Sequence, residues 1–194
     1  IYTIQASIPE GSMGNWNFSK LQYDNEKKAY TDYGIGSVSN GCSSLDVGAF
    51  SEGEYYVYIS GEDGLLSIGL SLKEIKKVTE LKSQAVAIAD DDIQKGSFTI
   101  DKLDGLYAHK GYGGYTTGNG NLAKITVPAN TTYIVTVDRL KYYTSLYVYE
   151  ADQDEMSQYS ENSVFLQNLT NNNKVYYVWF AMSYSESKSV TATI

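Results

Sequence analysis

Histidine occurs once in this chain, at position 109. It lies in "YAHKGYGGYTTGNGN", residues 107–121. A Ser-His-Asp triad, a His-Cys dyad or a two-histidine metal motif would need this residue or more than this residue. No serine or cysteine nucleophile motif stands beside it, so His109 reads as an exposed loop histidine. Cys42 is the one cysteine and can form no intramolecular disulfide. It reads as a small, buried or half-buried side chain. The glycines around His109 lack the strand–loop–helix setting and the Lys-Ser/Thr pair that give a phosphate loop its chemistry. They read as a long flexible or Ω-type loop. Tyr112 and Tyr115 on that loop are candidate ligand contacts, because tyrosine brings contact area at low entropic cost. With 23 acidic residues, carboxylate pairs carry no information, and the expectation is a protein that is not an enzyme.

Two segments are rich in oxygen ligands, "ADDDIQKGS" at 89–97 and "EADQDEMS" at 150–157. Hard cations take six to eight oxygens, from carboxylates and carbonyls. Asp90, Asp91 and Asp92 are therefore the candidate metal ligands, with calcium the candidate ion. EF-hand spacing is absent. The 19 tyrosines are the remaining chemistry. In "SLYVYEA", residues 145–151, Leu146 and Val148 suit a core, which turns Tyr147 and Tyr149 outward or towards a second sheet. With Tyr142 and Tyr143 they would form an exposed aromatic strip, able to stack on sugars or to meet a protein ligand.

The elements that must carry these residues are strands. Tyrosine, valine, isoleucine and threonine suit a half-buried pleated surface, while glycine, asparagine, aspartate and serine supply turns. Period-2 alternation runs through "YTIQASI", through "KITVPANTTYIVTV" on either side of a turn at residues 128–130, and through 145–151. "VYYVWF" at 175–180 is apolar on both faces and reads as a central strand. Turn signals recur every 8–12 residues, the spacing of an all-β sandwich or barrel. Residues 72–81 are the exception. Leu72, Ile75, Val78 and Leu81 recur every three residues, as in a short amphipathic helix or in a connector whose apolar side chains dock.

One pattern is written twice. "EYYVYISGEDGLLSIGLSL" at 54–72 and "KVYYVWFAMSYSESKSVTATI" at 174–194 both read as a hairpin. The repeat extends upstream: Tyr2 aligns with Tyr133, Leu21 with Val148, Tyr55 with Tyr176. The expected fold is all-β, two tandem antiparallel β-sandwich domains of jelly-roll-like type, at 1–76 and 77–194. The second copy has an added segment, roughly 83–132, before its matching strands. The first copy has no room for one, so it either lacks those opening strands or, as expected here, is part of a longer, multidomain chain.

The strands "ITVPANTTYIVTVDRL", "TSLYVYEADQDE", "NKVYYVWFAMSYS" and "SKSVTATI", echoed by "YTIQASI", "FSKLQYDNE", "GEYYVYISGEDG" and "LLSIGLSL", resemble the bacterial pre-peptidase C-terminal domain family. That family includes the collagen-binding domains of bacterial collagenases. The resemblance covers about 75 residues of each copy. The last strand departs from it, opening on Ser187-Lys188-Ser189 instead of Gly-x-Tyr. The resemblance implies β-sandwich modules appended to secreted proteases. For the collagen binders it implies tyrosines working on one sheet face and calcium near the N-terminal segment, a place comparable to Asp90–Asp92.

Net charge is −8, and the basic residues are scattered apart from Lys27-Lys28 and Lys73, Lys76 and Lys77. Nucleic acid and anionic membrane surfaces are poor partners for such a chain. No run of 18 apolar residues exists, so no membrane insertion is expected. The functional expectation is a non-catalytic binding or adhesion module of a secreted or cell-surface bacterial protein. Its ligand would be an extracellular carbohydrate or protein. The alternative is a spacer or folding aid beside a secreted enzyme.

Overall fold

The computed structural model describes residues 1–7, 15–38, 45–51, 54–61, 68–111, 114–182 and 188–194. Cys42 and Tyr112 lie outside the described residues. The protein is mostly β, in several antiparallel sheets, and divides into two compact units, Ile1–Ile75 and Lys76–Ile194.

The first unit holds β1 (Tyr2–Ser7), β2 (Trp16–Asp24), β3 (Ala29–Val38), β4 (Leu45–Phe50), β5 (Tyr56–Gly61) and β6 (Gly69–Glu74). They form two three-stranded sheets, ordered β4-β1-β6 and β3-β2-β5. Ala6 and Phe18 are its most buried apolar residues, packed with Trp16, Ile35, Val57, Ile59 and Ile68. Ala6 comes from β1 and Ile68 directly precedes β6 of the same sheet, while the others come from β2, β3 and β5, so both sheets feed one core.

The second unit begins with a 3₁₀ helix, Val78–Gln84, then β7 (Val86–Ala87), α1 (Asp90–Lys95), β8 (Ser97–Asp101), β9 (Tyr107–Gly111), β10 (Gly114–Gly118) and β11 (Gly120–Val127). There follow β12 (Thr131–Val137), α2 (Arg139–Tyr142), β13 (Thr144–Glu150), β14 (Met156–Ser160), β15 (Ser163–Asn168), β16 (Lys174–Met182) and β17 (Ser189–Thr193). Its sheets are ordered β14-β13-β16-β11-β7 and β15-β12-β17-β8, with β9 and β10 a separate pair. Ile125, Leu146, Val178 and Phe180 from one sheet meet Ile100, Val135, Leu166 and Val190 from the other in a single buried cluster.

The repeat is visible in these orders. β4-β1-β6 recurs as β15-β12-β17, and β3-β2-β5 recurs as β14-β13-β16. Two sequence expectations change. The repeated "hairpin" is no hairpin: β5 and β6 lie in different sheets, as do β16 and β17. Likewise the turn at 128–130 carries the chain from β11 in one sheet to β12 in the other. Two sheets that share one core need such crossings, and alternation alone does not distinguish a crossing from a fold-back. The second change is one of register. Leu21 pairs with Tyr56 on β5, and Tyr149 pairs with Tyr177 on β16. With Tyr56 and Tyr177 equivalent, Leu21 corresponds to Tyr149, not to Val148. A slip of one residue moves every side chain of a strand to the other face.

Residues 72–81 are not one helix. Leu72 is paired to Ile4 on β6 and is 73% exposed, while Ile75, Val78 and Leu81 are buried. The Lys77 N–H donates to the Glu80 carboxylate, and the helix starts after it. The spacing of three suits a 3₁₀ helix, where i and i+3 eclipse, better than an α-helix with 3.6 residues per turn.

Candidate functional site

The outer face of β3-β2-β5 carries four tyrosines. Alternation along β5 sends Val57 and Ile59 to the core and leaves Tyr56 and Tyr58 outside, 54% and 52% exposed. Tyr23 and Tyr30 are paired residues at the mouth of the β2–β3 connection, and are 48% and 57% exposed. Asp24 builds that connection. Its carboxylate accepts the backbone N–H groups of Glu26 and Lys27 at 2.9 and 3.1 Å. The Lys27 backbone N–H, with the Lys27 side chain, holds this carboxyl below its ordinary range. The rings meet edge to face, Tyr23 on Tyr30 at 5.3 Å and Tyr30 on Tyr56 at 6.1 Å. Such contacts fix the rings relative to one another, so part of the ordering entropy is spent before any ligand arrives.

The equivalent face of the second unit is covered. Val78 and Leu81 of the 3₁₀ helix form a buried cluster with Leu122, Tyr149, Trp179 and Ala181. Lys82 anchors the helix there, donating to the carbonyls of Glu150, Ala151 and Gln153 at 3.0, 3.2 and 2.6 Å. The β9–β10 hairpin adds Tyr107, whose ring meets Trp179 edge-on at 5.8 Å. Tyr149 is therefore buried, which removes it from the exposed strip. Its hydroxyl lies under the cover, and burial pushes its pKa up. Tyr147 is half-buried, 4.9 Å from Tyr159, and burial raises it to about 12.

The other candidates scatter. Tyr115 is half-buried on β10, with the Lys77 ammonium 5.9 Å from its ring centroid. Tyr142 ends α2 beneath the Lys141 ammonium, whose hydrogen bond lowers its pKa. Tyr143 is exposed at the left-handed cap of that helix, φ 48°. These residues do not make one strip, because Tyr142 and Tyr143 belong to a helix and Tyr147 and Tyr149 lie under the hairpin and helix. Asp90, Asp91 and Asp92 form the first turn of α1, not an open turn, and Asp92 pairs with Lys95 at 3.4 Å. Successive helical residues point about 100° apart and do not converge on one ion. Among the described residues no three acidic, histidine or cysteine side chains gather as a metal site.

His109 departs most from its sequence reading. The glycine-rich segment is a β-hairpin, and His109 on β9 is buried, not an exposed loop residue. Its ring packs at 4.5 Å on Tyr147 and 6.5 Å from Trp179. Nε2 is 2.9 Å from Oγ1 of Thr116, its cross-strand partner, while Nδ1 is buried with no hydrogen-bond partner. Burial lowers its pKa to about 4. Among the described residues no carboxylate orients the ring, and a base this weak does little at neutral pH.

The linkage has a definite sign. The unfolded chain binds this proton below about pH 6.5, and the folded chain binds it only near pH 4. Stability is therefore lost as pH falls through that window, by about 2 to 3 kcal/mol at pH 4.5. Urea unfolding of the parent and of His109→Gln, at pH 7 and pH 4.5, measures this. The variant is expected to lose less stability by that amount, and equal slopes would contradict the buried, neutral imidazole.

The tyrosine face has a signal the sequence reading passed over. Tyr56 and Tyr58 alternate with Val57 and Ile59, and Tyr23 and Tyr30 bracket an Asp-Asn turn. Compared with family models, with curated proteins and with solved structures, the chain matches none. Among the described residues no helix is long and apolar enough to cross a membrane.

Proposed function

We propose that the chain is a non-catalytic carbohydrate-binding region built from two tandem β-sandwich modules. The observation that carries this is the exposed cluster of Tyr23, Tyr30, Tyr56 and Tyr58 on one sheet face. Aromatic faces stack on the C–H faces of pyranoses, and the phenol hydroxyls reach sugar hydroxyls. The rings are tilted by 70° and 66° along Tyr23–Tyr30–Tyr56. A flat crystalline polysaccharide would call for coplanar rings. Tilted rings suit a single soluble glycan chain, whose successive residues turn. A net charge of −8 favours a neutral glycan over an acidic one. Tyrosines on one sheet face also agree with what the pre-peptidase C-terminal resemblance implies, and the setting that goes with this reading is extracellular or cell-surface.

Affinity electrophoresis through gels holding soluble neutral polysaccharides tests the reading. The parent is expected to be retarded by at least one. Tyr30→Ala and Tyr56→Ala, both at exposed rings, are each expected to weaken binding about tenfold or more. Leu72→Ala, on the other sheet, is expected to leave it unchanged. Retardation by no polysaccharide would return the modules to the spacer reading, and binding to collagen peptides alone would replace carbohydrate by a protein ligand.

A further inference from the structure

A candidate for a second site lies in the other unit, independent of the tyrosine face. A pocket of about 360 Å³ opens between the β9–β10 hairpin and the sheet beneath it, lined by His109, Thr116, Thr117, Gly118, Asn119 and Ser145. Leu106, Tyr147, Ala181 and Met182 also line it. Its volume is at the lower end of small-ligand pockets, which run from about 300 to 1,000 Å³.

Its chemistry is unusual for an acidic protein. Among the described residues no aspartate, glutamate, lysine or arginine lines it. Two hydroxyl-bearing threonines, one serine, one asparagine and one imidazole provide hydrogen bonds, and an aromatic ring with three aliphatic or thioether side chains provides apolar surface. A pyranose has the same duality, with hydroxyls around its edge and C–H groups on its faces.

The imidazole is the independent pointer to a ligand. His109 is 5% exposed, and its Nδ1 has no partner. An orphaned buried polar atom is costly and needs an explanation. Nε2 is already engaged by Thr116, so Nδ1 is the atom left to a ligand. The space beside it is kept by Gly118. A Cβ there would come within 3.1 Å of His109 Cε1 and 3.4 Å of Nδ1, and among the described residues would meet no other non-neighbouring heavy atom within 4 Å. Gly118 thus places no side chain against the unpartnered edge of the ring. We infer that this pocket binds a single neutral pyranose unit, with a sugar hydroxyl at His109 Nδ1 and the sugar's apolar face against Tyr147.

The lone histidine makes the test selective. The full chain is prepared with ¹⁵N-labelled imidazole and titrated with glucose, galactose and N-acetylglucosamine. At least one sugar is expected to shift the Nδ1 resonance in a saturable way, and the shift is expected to survive in a Tyr30→Ala/Tyr56→Ala double variant, which removes the tyrosine face. Gly118→Val fills the space and is expected to abolish the shift. Should that variant fail to fold, Ser145→Val on β13 is expected to weaken binding about tenfold by removing one hydroxyl. A resonance that no neutral sugar moves saturably overturns the site, as does a shift that persists unchanged in Gly118→Val or Ser145→Val. A shift lost in the double tyrosine variant would assign the binding to the tyrosine face and overturn the pocket.

Discussion

Gly120→Ala is expected to destabilise the second unit by about 4 kcal/mol or more, close to the whole stability of a marginal domain. A Cβ at this position would lie 2.0 Å from the backbone carbonyl oxygen of Phe180 and 2.9 Å from Trp179 Cζ2. Neither obstacle can give way cheaply. Phe180 sits on the central strand β16, paired on both sides by β11 and β13, and Trp179 is fully buried. Relief would require β11 to part from β16 where the ladder begins. The two tryptophans report separately once Trp16 is changed to phenylalanine, because Trp179 then remains as the only indole. Chemical denaturation followed by Trp179 emission is expected to show an early transition, or none, for Gly120→Ala. Gly34→Ala is the matched control. A Cβ there meets nothing within 4 Å, and its effect is expected to stay within about 0.5 kcal/mol. Equal midpoints for Gly120→Ala and the parent would show that β11 and β16 do not approach as described.

Asn168 is expected to be the costliest polar residue to replace. It is fully buried at the end of β15. Its Nδ2 lies 2.9, 3.0 and 2.7 Å from the carbonyls of Val127, Pro128 and Asn172, and its Oδ1 accepts from the Thr170 N–H and hydroxyl at 3.0 and 2.7 Å. One amide thus clamps the crossing from β11 to β12 and closes the turn into β16. Asn168→Ala leaves these groups without their partner and is expected to cost about 3 kcal/mol. Asn168→Asp sets a carboxylate against three carbonyl oxygens. It should stay protonated in the folded state, with its pKa raised, so the folded chain holds a proton that the unfolded chain releases above about pH 4. Its destabilisation is therefore expected to deepen between pH 4 and pH 7. Melting midpoints across that range decide the matter, and a pH-independent difference from the parent would remove the clamp. The same burial hides Asn168 from glycosylation in the folded state, although Asn168-Leu169-Thr170 is a sequon.

Much of the architecture was legible because strands announce themselves locally. Alternation in 2–8, 131–137 and 145–151 marks strands, and "VYYVWF" reads as a central strand because both of its faces are apolar. The same local rule could not decide the candidate site. Period 2 assigns Leu146 and Val148 to one face and Tyr147 and Tyr149 to the other, but does not say whether the second face meets water. In the second unit it meets Val78, Leu81 and the hairpin bearing His109, from segments 30 to 70 residues earlier in the chain. In the first unit the corresponding face carries exposed Tyr56 and Tyr58. The repeated strands look alike in sequence while one face is core and the other surface.

His109 shows the same limit from the other side. Glycine, threonine and asparagine around it are the composition of a loop, and only pairing between β9 and β10 turns that composition into a hairpin. Its burial then follows from where the hairpin docks. The strand-rich character, the repeated strand pattern, the single histidine and the acidic charge are readable without coordinates, because they depend on neighbours along the chain or on counting. Which tyrosines are exposed, that His109 is buried, that Gly120 lies against the Phe180 carbonyl and that Asn168 is an enclosed clamp were settled only by the fold in three dimensions. Those properties arise from atoms brought within a few ångströms by long-range pairing, and such contacts leave no periodic mark on the residues that make them.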